Sequence, residues 1–113
     1  MAFPATKLTE YRKDKRGQIQ YRIHFSVRGR RHIGDGHISD LSASGCGIKS
    51  SVGVRQGEIL ELTVYGPDGQ AISIDESIVR WVRPDGFGVS FTQMRRPAKL
   101  WIEDICRRLS LHR

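Results

Sequence analysis

The chain has 113 residues, of which 38% are hydrophobic and 27% charged, with a formal net charge of +7 at pH 7. A chain of this length fits one domain and buries roughly two-thirds of its unfolded surface, so it needs no disulfide or metal to fold. No segment approaches the ~20 apolar residues of a membrane span, and the opening MAFPATKL lacks the features of a secretory signal. We therefore expect a soluble, cytoplasmic protein with no membrane span.

The excess positive charge lies at the front of the chain. Residues 1–31 contain nine basic and two acidic residues, whereas the remainder contains ten of each. Arginine outnumbers lysine by fourteen to five. Because a guanidinium can pair with phosphate in a fork and stack on a ring, this bias indicates an anion site, one suited to a phosphate that carries a flat base.

The predicted elements begin with a strand at residues 18–28, QIQYRIHFSVR, where apolar and polar side chains alternate. The glycine-rich RGRRHIGDG that follows is predicted to be a loop. Further strands are predicted at about 37–41, 46–50, 58–66 and 71–82, with a last one beginning at GVSF. The stretch SDLSASGCG, residues 39–47, lies at the second turn and carries more polar side chains than a turn needs.

Several short strands joined by glycine-rich turns predict an all-β fold, an antiparallel six-stranded β-barrel. The tail changes to helical spacing, with Pro97 suited to the first turn and Trp101, Ile102 and Ile105 on one face. We expect one domain with three parts: a flexible basic N-terminal arm at 1–17, the barrel at 18–94 and a C-terminal α-helix at 95–113.

No enzyme motif is present, neither GxSxG nor HExxH nor a P-loop. His37, Asp40 and Ser42 have the residue types of a hydrolase triad, but they lie in one strand and its turn, whereas a triad needs elements that converge. Metal-ligand spacing is absent from the histidines and cysteines, which are His24, His32, His37, His112, Cys46 and Cys106. We therefore expect no catalytic residue, no metal site, no cofactor and no enzymatic activity.

Two groups of residues favour a guanine site. Arg12 and Arg16 lie on one side of the chain in both a helical and an extended conformation, so two guanidiniums can grip a phosphate or a guanine edge. Asp40 can accept hydrogen bonds from guanine N1–H and N2–H₂, Ser42 can add another, and Gly45 allows close backbone approach. Each of these three residues also has a sufficient explanation in the turn itself.

The same residues resemble a known family. An RxxxR segment before the first strand, here Arg12-Lys13-Asp14-Lys15-Arg16, followed by [D/N]xSxxG, here Asp40 to Gly45, is the signature of PilZ domains, which are bacterial receptors for the second messenger cyclic di-GMP. The later SIVRWVRPDGFGVSF is similar to the closing hairpin of that family. The resemblance runs from about Glu10 to the terminal helix and implies a six-stranded antiparallel barrel with a trailing helix.

The resemblance also implies site roles. Arg12 and Arg16 would contact a guanine and its phosphates from the arm, and Asp40 and Ser42 would bond a guanine from the opposite side, with Gly45 keeping the turn tight. The sequence departs from the family at Tyr11, where many members have a further arginine, so one or two ligands per chain stay open.

The leading hypothesis is a non-enzymatic cyclic di-GMP receptor that signals through an unidentified effector protein, because ligand binding would order the arm on the barrel and change an exposed surface. One alternative is a PilZ-like adaptor that does not bind the nucleotide. A second is a small barrel that binds single-stranded nucleic acid. We disfavour a nucleic-acid partner because most aromatic residues occupy predicted core positions, namely Tyr21, Phe25, Trp81, Phe91 and Trp101.

Overall fold

A computed structural model describes residues 21–110, which form a closed antiparallel barrel followed by one helix. In chain order the elements are β1 (Arg22–Val27), β2 (Ile33–Ser42), β3 (Gly45–Lys49), β4 (Ile59–Tyr65), β5 (Ala71–Arg83), β6 (Gly86–Gln93) and α1 (Arg96–Ser110). Neighbouring strands run in the order β1-β2-β3-β6-β5-β4, and β1 pairs with β4 to close the sheet. The predicted six-stranded barrel with a C-terminal helix is confirmed.

Part of the predicted organisation lies outside the described residues. This applies to the arm at 1–17 with Arg12 and Arg16, to the first three residues of the predicted 18–28 strand, and to the last three residues of the predicted helix. The division of the chain into arm, barrel and helix therefore stays a prediction.

The barrel interior is filled by its own side chains, as expected for six strands. Alternation along β1 turns Ile23, Phe25 and Val27 inward, and all three are buried. Phe25 meets Phe87 of β6 edge to face, with ring centroids 5.2 Å apart. Because the interior is packed, a ligand has to bind on the outer surface.

The helix α1 packs against the barrel through its apolar face, where Ile102 and Ile105 are buried. The half-buried Trp101 ring lies 5.6 Å from the ring of Tyr21, and its indole N–H donates to Gln70 Oε1 at 3.0 Å. The helix therefore fixes the point at which the chain enters β1.

Strand β2 is longer than the sequence predicts. It begins at Ile33 and includes Gly34 and Gly36, which the sequence assigned to a loop. A Cβ on Gly34 would lie 2.7 Å from the Phe25 ring, and one on Gly36 would lie 2.1 Å from the Lys49 carbonyl oxygen. These glycines therefore serve close packing within the sheet rather than chain reversal.

Two β-bulges change which side chains face outward. Register shifts fall between Ile38 and Asp40 in β2, and between Val79 and Trp81 in β5. Ile38 and Val79 are buried, so unbroken alternation would also turn Asp40 and Trp81 inward. Each bulge inserts one extra residue, and both side chains face solvent instead. The prediction that Trp81 belongs to the core is wrong, since it is 40% exposed.

Arginines at the end of the first hairpin are neutralised by acidic residues from later strands. Arg28 forms ion pairs with Glu76 at 3.0 Å and Glu61 at 3.5 Å. Arg30 grips Glu58 through two hydrogen bonds of 2.7 and 3.0 Å. The hydrogen bond from Arg30 is the largest cause that lowers the pKa of Glu58. Part of the basic excess of residues 1–31 is thus balanced inside the fold.

The substitution Gly45→Ala tests whether β3 and β6 approach each other closely at this position. A Cβ at this position would lie 2.2 Å from the Val89 carbonyl oxygen. Because backbone has to shift to admit it, Gly45→Ala should destabilise the protein by about 1–3 kcal/mol in urea unfolding. Gly53→Ala is the matched control, since nothing lies within 4 Å of its added methyl. Equal stability of the two variants would contradict the close approach.

Glu58 predicts a pH-dependent contribution to stability. A carboxylate whose pKa is lowered on folding stabilises the protein above its unfolded pKa, about 4.3, and this contribution disappears as pH falls through the lower folded value. Glu58→Gln should therefore be less stable than the parent at pH 7, with the difference shrinking between pH 5 and 3 in thermal unfolding. Glu103→Gln on α1 is the control, and a Glu58→Gln difference that does not change with pH would contradict the assignment.

Candidate functional site

A row of four residues crosses the outer face of the barrel on four neighbouring strands. Asp40 of β2 pairs with Gly47 of β3, Gly47 pairs with Gly88 of β6, and Gly88 pairs with Trp81 of β5. Paired residues point to the same face of a sheet. The row therefore places a carboxylate and an indole at the two ends of a floor made of two glycines.

Both positions require glycine because the side chains of Asp40 and Trp81 pack directly against Gly47 and Gly88. A Cβ on Gly47 would lie 3.1 and 3.3 Å from the two carboxylate oxygens of Asp40, and 2.8 Å from the Ser39 hydroxyl. A Cβ on Gly88 would lie 2.2 Å from the Trp81 indole. The sequence motif had drawn attention to Gly45, but Gly47 and Gly88 are the glycines that form this floor.

Within residues 21–110, Asp40 accepts a hydrogen bond through one of its two carboxylate oxygens. Its Oδ1 accepts from the Gly47 backbone N–H at 3.0 Å. Its Oδ2 has no hydrogen-bond partner within residues 21–110. The adjacent Cys46 thiol is buried, and burial together with the charge of Asp40 raises its pKa far above the ordinary value. Asp40 therefore carries an exposed acceptor, whereas Cys46 stays an uncharged thiol.

Ser42 and Gly45 lie in the β2–β3 turn rather than on the glycine row. The Ser42 hydroxyl donates to the Gly45 carbonyl and accepts from the Ser44 backbone N–H, both at 3.3 Å. Its bonds therefore lie within the turn, as the structural explanation of the motif expects. The structure brings Asp40, Ser42 and Gly45 to one end of the β2–β3 hairpin, while Arg12 and Arg16 lie outside the described residues.

Trp81 and Arg83 are site residues that the sequence reasoning missed. The Arg83 guanidinium lies 4.5 Å from the centroid of the Trp81 ring. The Trp81 indole N–H donates to no acceptor in the part of the chain that the structure describes. The segment RWVR, which contains both residues, has the pattern of a strand whose tryptophan faces the core. Only the bulge before Trp81 turns this side chain outward.

A surface pocket of about 280 Å³ lies over this part of the barrel. It is lined by Asp40 on one side and by Trp81 and Arg83 on the other. Lys49 and Asp85 close the far end through an ion pair of 3.3 Å, which lowers the pKa of Asp85 chiefly through the hydrogen bond. The pocket therefore presents a hydrogen-bond acceptor, a guanidinium and an indole N–H within one small space.

Over residues 21–110, no three histidine, cysteine, aspartate or glutamate side chains are grouped so that they could hold a metal ion. In the same range, no helix is both long and apolar enough to cross a membrane.

The substitution Gly88→Ala tests whether the Trp81 indole packs directly on Gly88. Because the added methyl would overlap Trp81, we expect the exposed indole to move while the barrel stays folded. In a ¹H–¹⁵N NMR spectrum the Trp81 indole N–H resonance should shift, whereas that of Trp101 should stay. Gly53→Ala should move neither resonance. An unchanged Trp81 resonance in Gly88→Ala would contradict the contact.

The comparison with family models agrees with the observed fold. The family model described as PilZ domain matches residues 10–108. No curated protein matches the chain. PilZ domains are a family of cyclic di-GMP receptors that are generally non-enzymatic. Because the match covers most of the sequence, the chain belongs to the PilZ domain family.

Proposed function

We propose that the protein is a non-enzymatic receptor for cyclic di-GMP. The observation that carries the proposal is the exposed Asp40 carboxylate, whose Oδ2 has no hydrogen-bond partner within residues 21–110 and which lines one pocket together with Trp81 and Arg83. A guanine needs acceptors for its N1–H and N2–H₂ and donors for its O6 and N7. The two walls supply these groups from opposite sides.

In this proposal one guanine lies over the glycine row. Asp40 accepts from its N1–H and N2–H₂, while Arg83 stacks on the purine or donates to its O6 and N7. The indole N–H of Trp81, which donates to no acceptor within residues 21–110, gives a further donor for the base or a phosphate. Ser42 supports the proposed site indirectly, since its hydroxyl holds the turn that follows Asp40.

Arg12 and Arg16 complete the proposed site from the arm. The Tyr21 carbonyl accepts a hydrogen bond of 2.9 Å from the Ile38 backbone N–H, two positions before Asp40 on β2. The chain thus enters the barrel beside the proposed site. An extended chain spans at most ~3.3–3.6 Å per residue, so Arg16, five positions before Tyr21, is within about 18 Å of that point.

The size of the pocket supports a site that the barrel shares with the arm. Small-molecule pockets usually have volumes of about 300–1,000 Å³. At about 280 Å³ the barrel pocket is below this range, although cyclic di-GMP carries two guanines and two phosphates. We therefore propose that Arg12 and Arg16 bind the phosphates and the part of the ligand that the barrel leaves uncovered.

Signalling would follow from the movement of the arm. Ligand binding would hold the arm at 1–17 against the barrel and change the surface offered to an effector protein. The proposal also places the protein in the cytoplasm, a reducing compartment in which two free thiols persist. Added cyclic di-GMP should then protect residues 5–17 from limited proteolysis.

The two alternatives differ in what they require of the site. A PilZ-like adaptor needs no nucleotide, so a titration of the protein with cyclic di-GMP distinguishes it from the receptor. A single-stranded nucleic acid needs successive exposed rings for base stacking. Trp81 is exposed, but Phe25 is buried, and Tyr21, Phe91 and Trp101 pack against the core. The exposed indole alone does not make a stacking surface.

Calorimetric titration with cyclic di-GMP is the direct test. Each arginine contact with a guanine contributes roughly 1–3 kcal/mol, so Arg12→Ala and Arg16→Ala should each weaken binding about 5- to 150-fold. Asp40→Ala should weaken it by at least about tenfold, because the guanine N1–H and N2–H₂ lose their acceptor. Lys13→Ala, between the two arginines, is the matched control with a much smaller expected effect.

The ligand itself supplies a second control. Adenine has no N1–H or N2–H₂ to donate to Asp40, so cyclic di-AMP should bind at least about tenfold more weakly than cyclic di-GMP. Absence of heat with cyclic di-GMP at tens-of-micromolar protein would contradict the receptor proposal and favour the adaptor. Partner capture that is unchanged by Arg16→Ala and Asp40→Ala would favour the adaptor in the same way.

A further inference from the structure

A second pocket of about 280 Å³ opens on another part of the barrel wall, over β1, β2 and β4. The polar side chains that line it are Arg22, His24, Asp35, His37 and Tyr65. Register places them on one outer face, since Arg22 pairs with both His37 and Tyr65, and His24 pairs with Asp35. The pocket is thus built from two adjacent rows of cross-strand pairs.

The polar side chains of this pocket make no polar contact with the described part of the barrel. None of the five side chains makes a hydrogen bond or an ion pair with another residue in the range 21–110. The one contact among them is the Arg22 guanidinium, which lies 5.5 Å from the centroid of the Tyr65 ring. This contact orients the guanidinium and leaves its N–H donors available.

Arg22 differs from the arginines on the β4–β5 side of the barrel. On the β4–β5 side, Arg28, Arg30 and Arg95 each pair with a carboxylate, at 3.0, 2.7 and 3.1 Å. Arg22 has no carboxylate partner among residues 21–110, although Asp35 lines the same pocket. A guanidinium and two imidazoles that have no acceptor in the described part of the chain fit an anionic ligand.

This pocket is distinct from the one over the glycine row. The two pockets share no lining residue. Their boundary is the pair formed by His37 of β2 and Lys49 of β3, because His37 lines one pocket and Lys49 the other. A ligand in the second pocket can therefore be tested while the first is occupied.

We propose that the pocket of Arg22, His24, Asp35, His37 and Tyr65 binds a small sugar phosphate. Arg22 and His37, which are paired neighbours, bind the phosphate, and His24 adds a donor beside them. Asp35 repels a bare phosphate but accepts hydrogen bonds from sugar hydroxyls, so it selects the ester over the inorganic ion. The proposal does not depend on cyclic di-GMP binding at the other pocket.

The test uses inorganic phosphate and ribose 5-phosphate as probes at constant ionic strength, followed by ¹H–¹⁵N NMR of the full chain. Backbone amides of Ile23 and Gly36, which line the pocket, should shift on titration. Ribose 5-phosphate should bind with a dissociation constant on the order of 0.1–1 mM, and inorganic phosphate several-fold more weakly. No saturable shift with ribose 5-phosphate up to about 10 mM would overturn the proposal.

Variants separate the roles. Arg22→Ala and His37→Ala should each weaken ribose 5-phosphate binding by about tenfold. Asp35→Ala should strengthen inorganic phosphate binding and remove the preference for the sugar ester. Arg55→Ala, an exposed arginine on the loop before β4, is the matched control and should change neither. All these positions are exposed, so the spectra should otherwise stay those of the folded parent.

The last experiment repeats the ribose 5-phosphate titration in the presence of a saturating amount of cyclic di-GMP. Unchanged ribose 5-phosphate binding would support a separate pocket, whereas displacement would overturn it and make the pocket part of the dinucleotide site. Equal affinity for the two probes would overturn the role of Asp35. The calorimetric test of the receptor proposal stands apart, because Arg22→Ala should leave cyclic di-GMP binding unchanged.

Discussion

The lack of a side chain at one position of β3 and one of β6 is the constraint on which the outer surface depends. Glycine at Gly47 and Gly88 lets Asp40 and Trp81 lie directly on the sheet, and the bulges in β2 and β5 turn those two side chains outward. Without the β2 bulge, the Asp40 carboxylate would point into an apolar core, at a cost of several kcal/mol, and without the β5 bulge Trp81 would point inward. The bulges in the sheet therefore determine which functional groups the outer surface presents.

Charge is organised by the same barrel. The arginines of the β1–β2 turn pair with carboxylates from β4 and β5, which uses part of the basic excess for cohesion between strands. Exposed ion pairs contribute little individually. Their consequence is local: Arg28, Arg30 and Arg95 are each paired with a carboxylate, while Arg22 and Arg83 have no carboxylate partner in residues 21–110. Net charge thus says less about ligands than the pairing of individual arginines.

Sequence periodicity predicted the class of fold, the number of strands and the terminal helix, because alternation and helical spacing survive in most elements. It missed the length of β2, since Gly34 and Gly36 look like loop residues although they serve packing against Phe25 and Lys49. Periodicity also placed Trp81 in the core. A bulge changes the face of the sheet to which the following side chain points, and the residue pattern does not show where a bulge lies. The motif drew attention to Asp40, whose part in ligand binding stays a prediction, but it did not show that Oδ2 has no hydrogen-bond partner within residues 21–110.

The pairing of β3 with β6 also has a consequence for how the chain folds. Gly47 and Gly88 are joined across 41 positions of sequence, so their contact forms only after a large loop has closed. Such non-local pairings make folding slow, on the order of milliseconds to seconds. The floor between Asp40 and Trp81 does not exist in a chain that has formed only its hairpins. A ligand of this floor would therefore select fully closed barrels, and it would slow unfolding rather than speed folding.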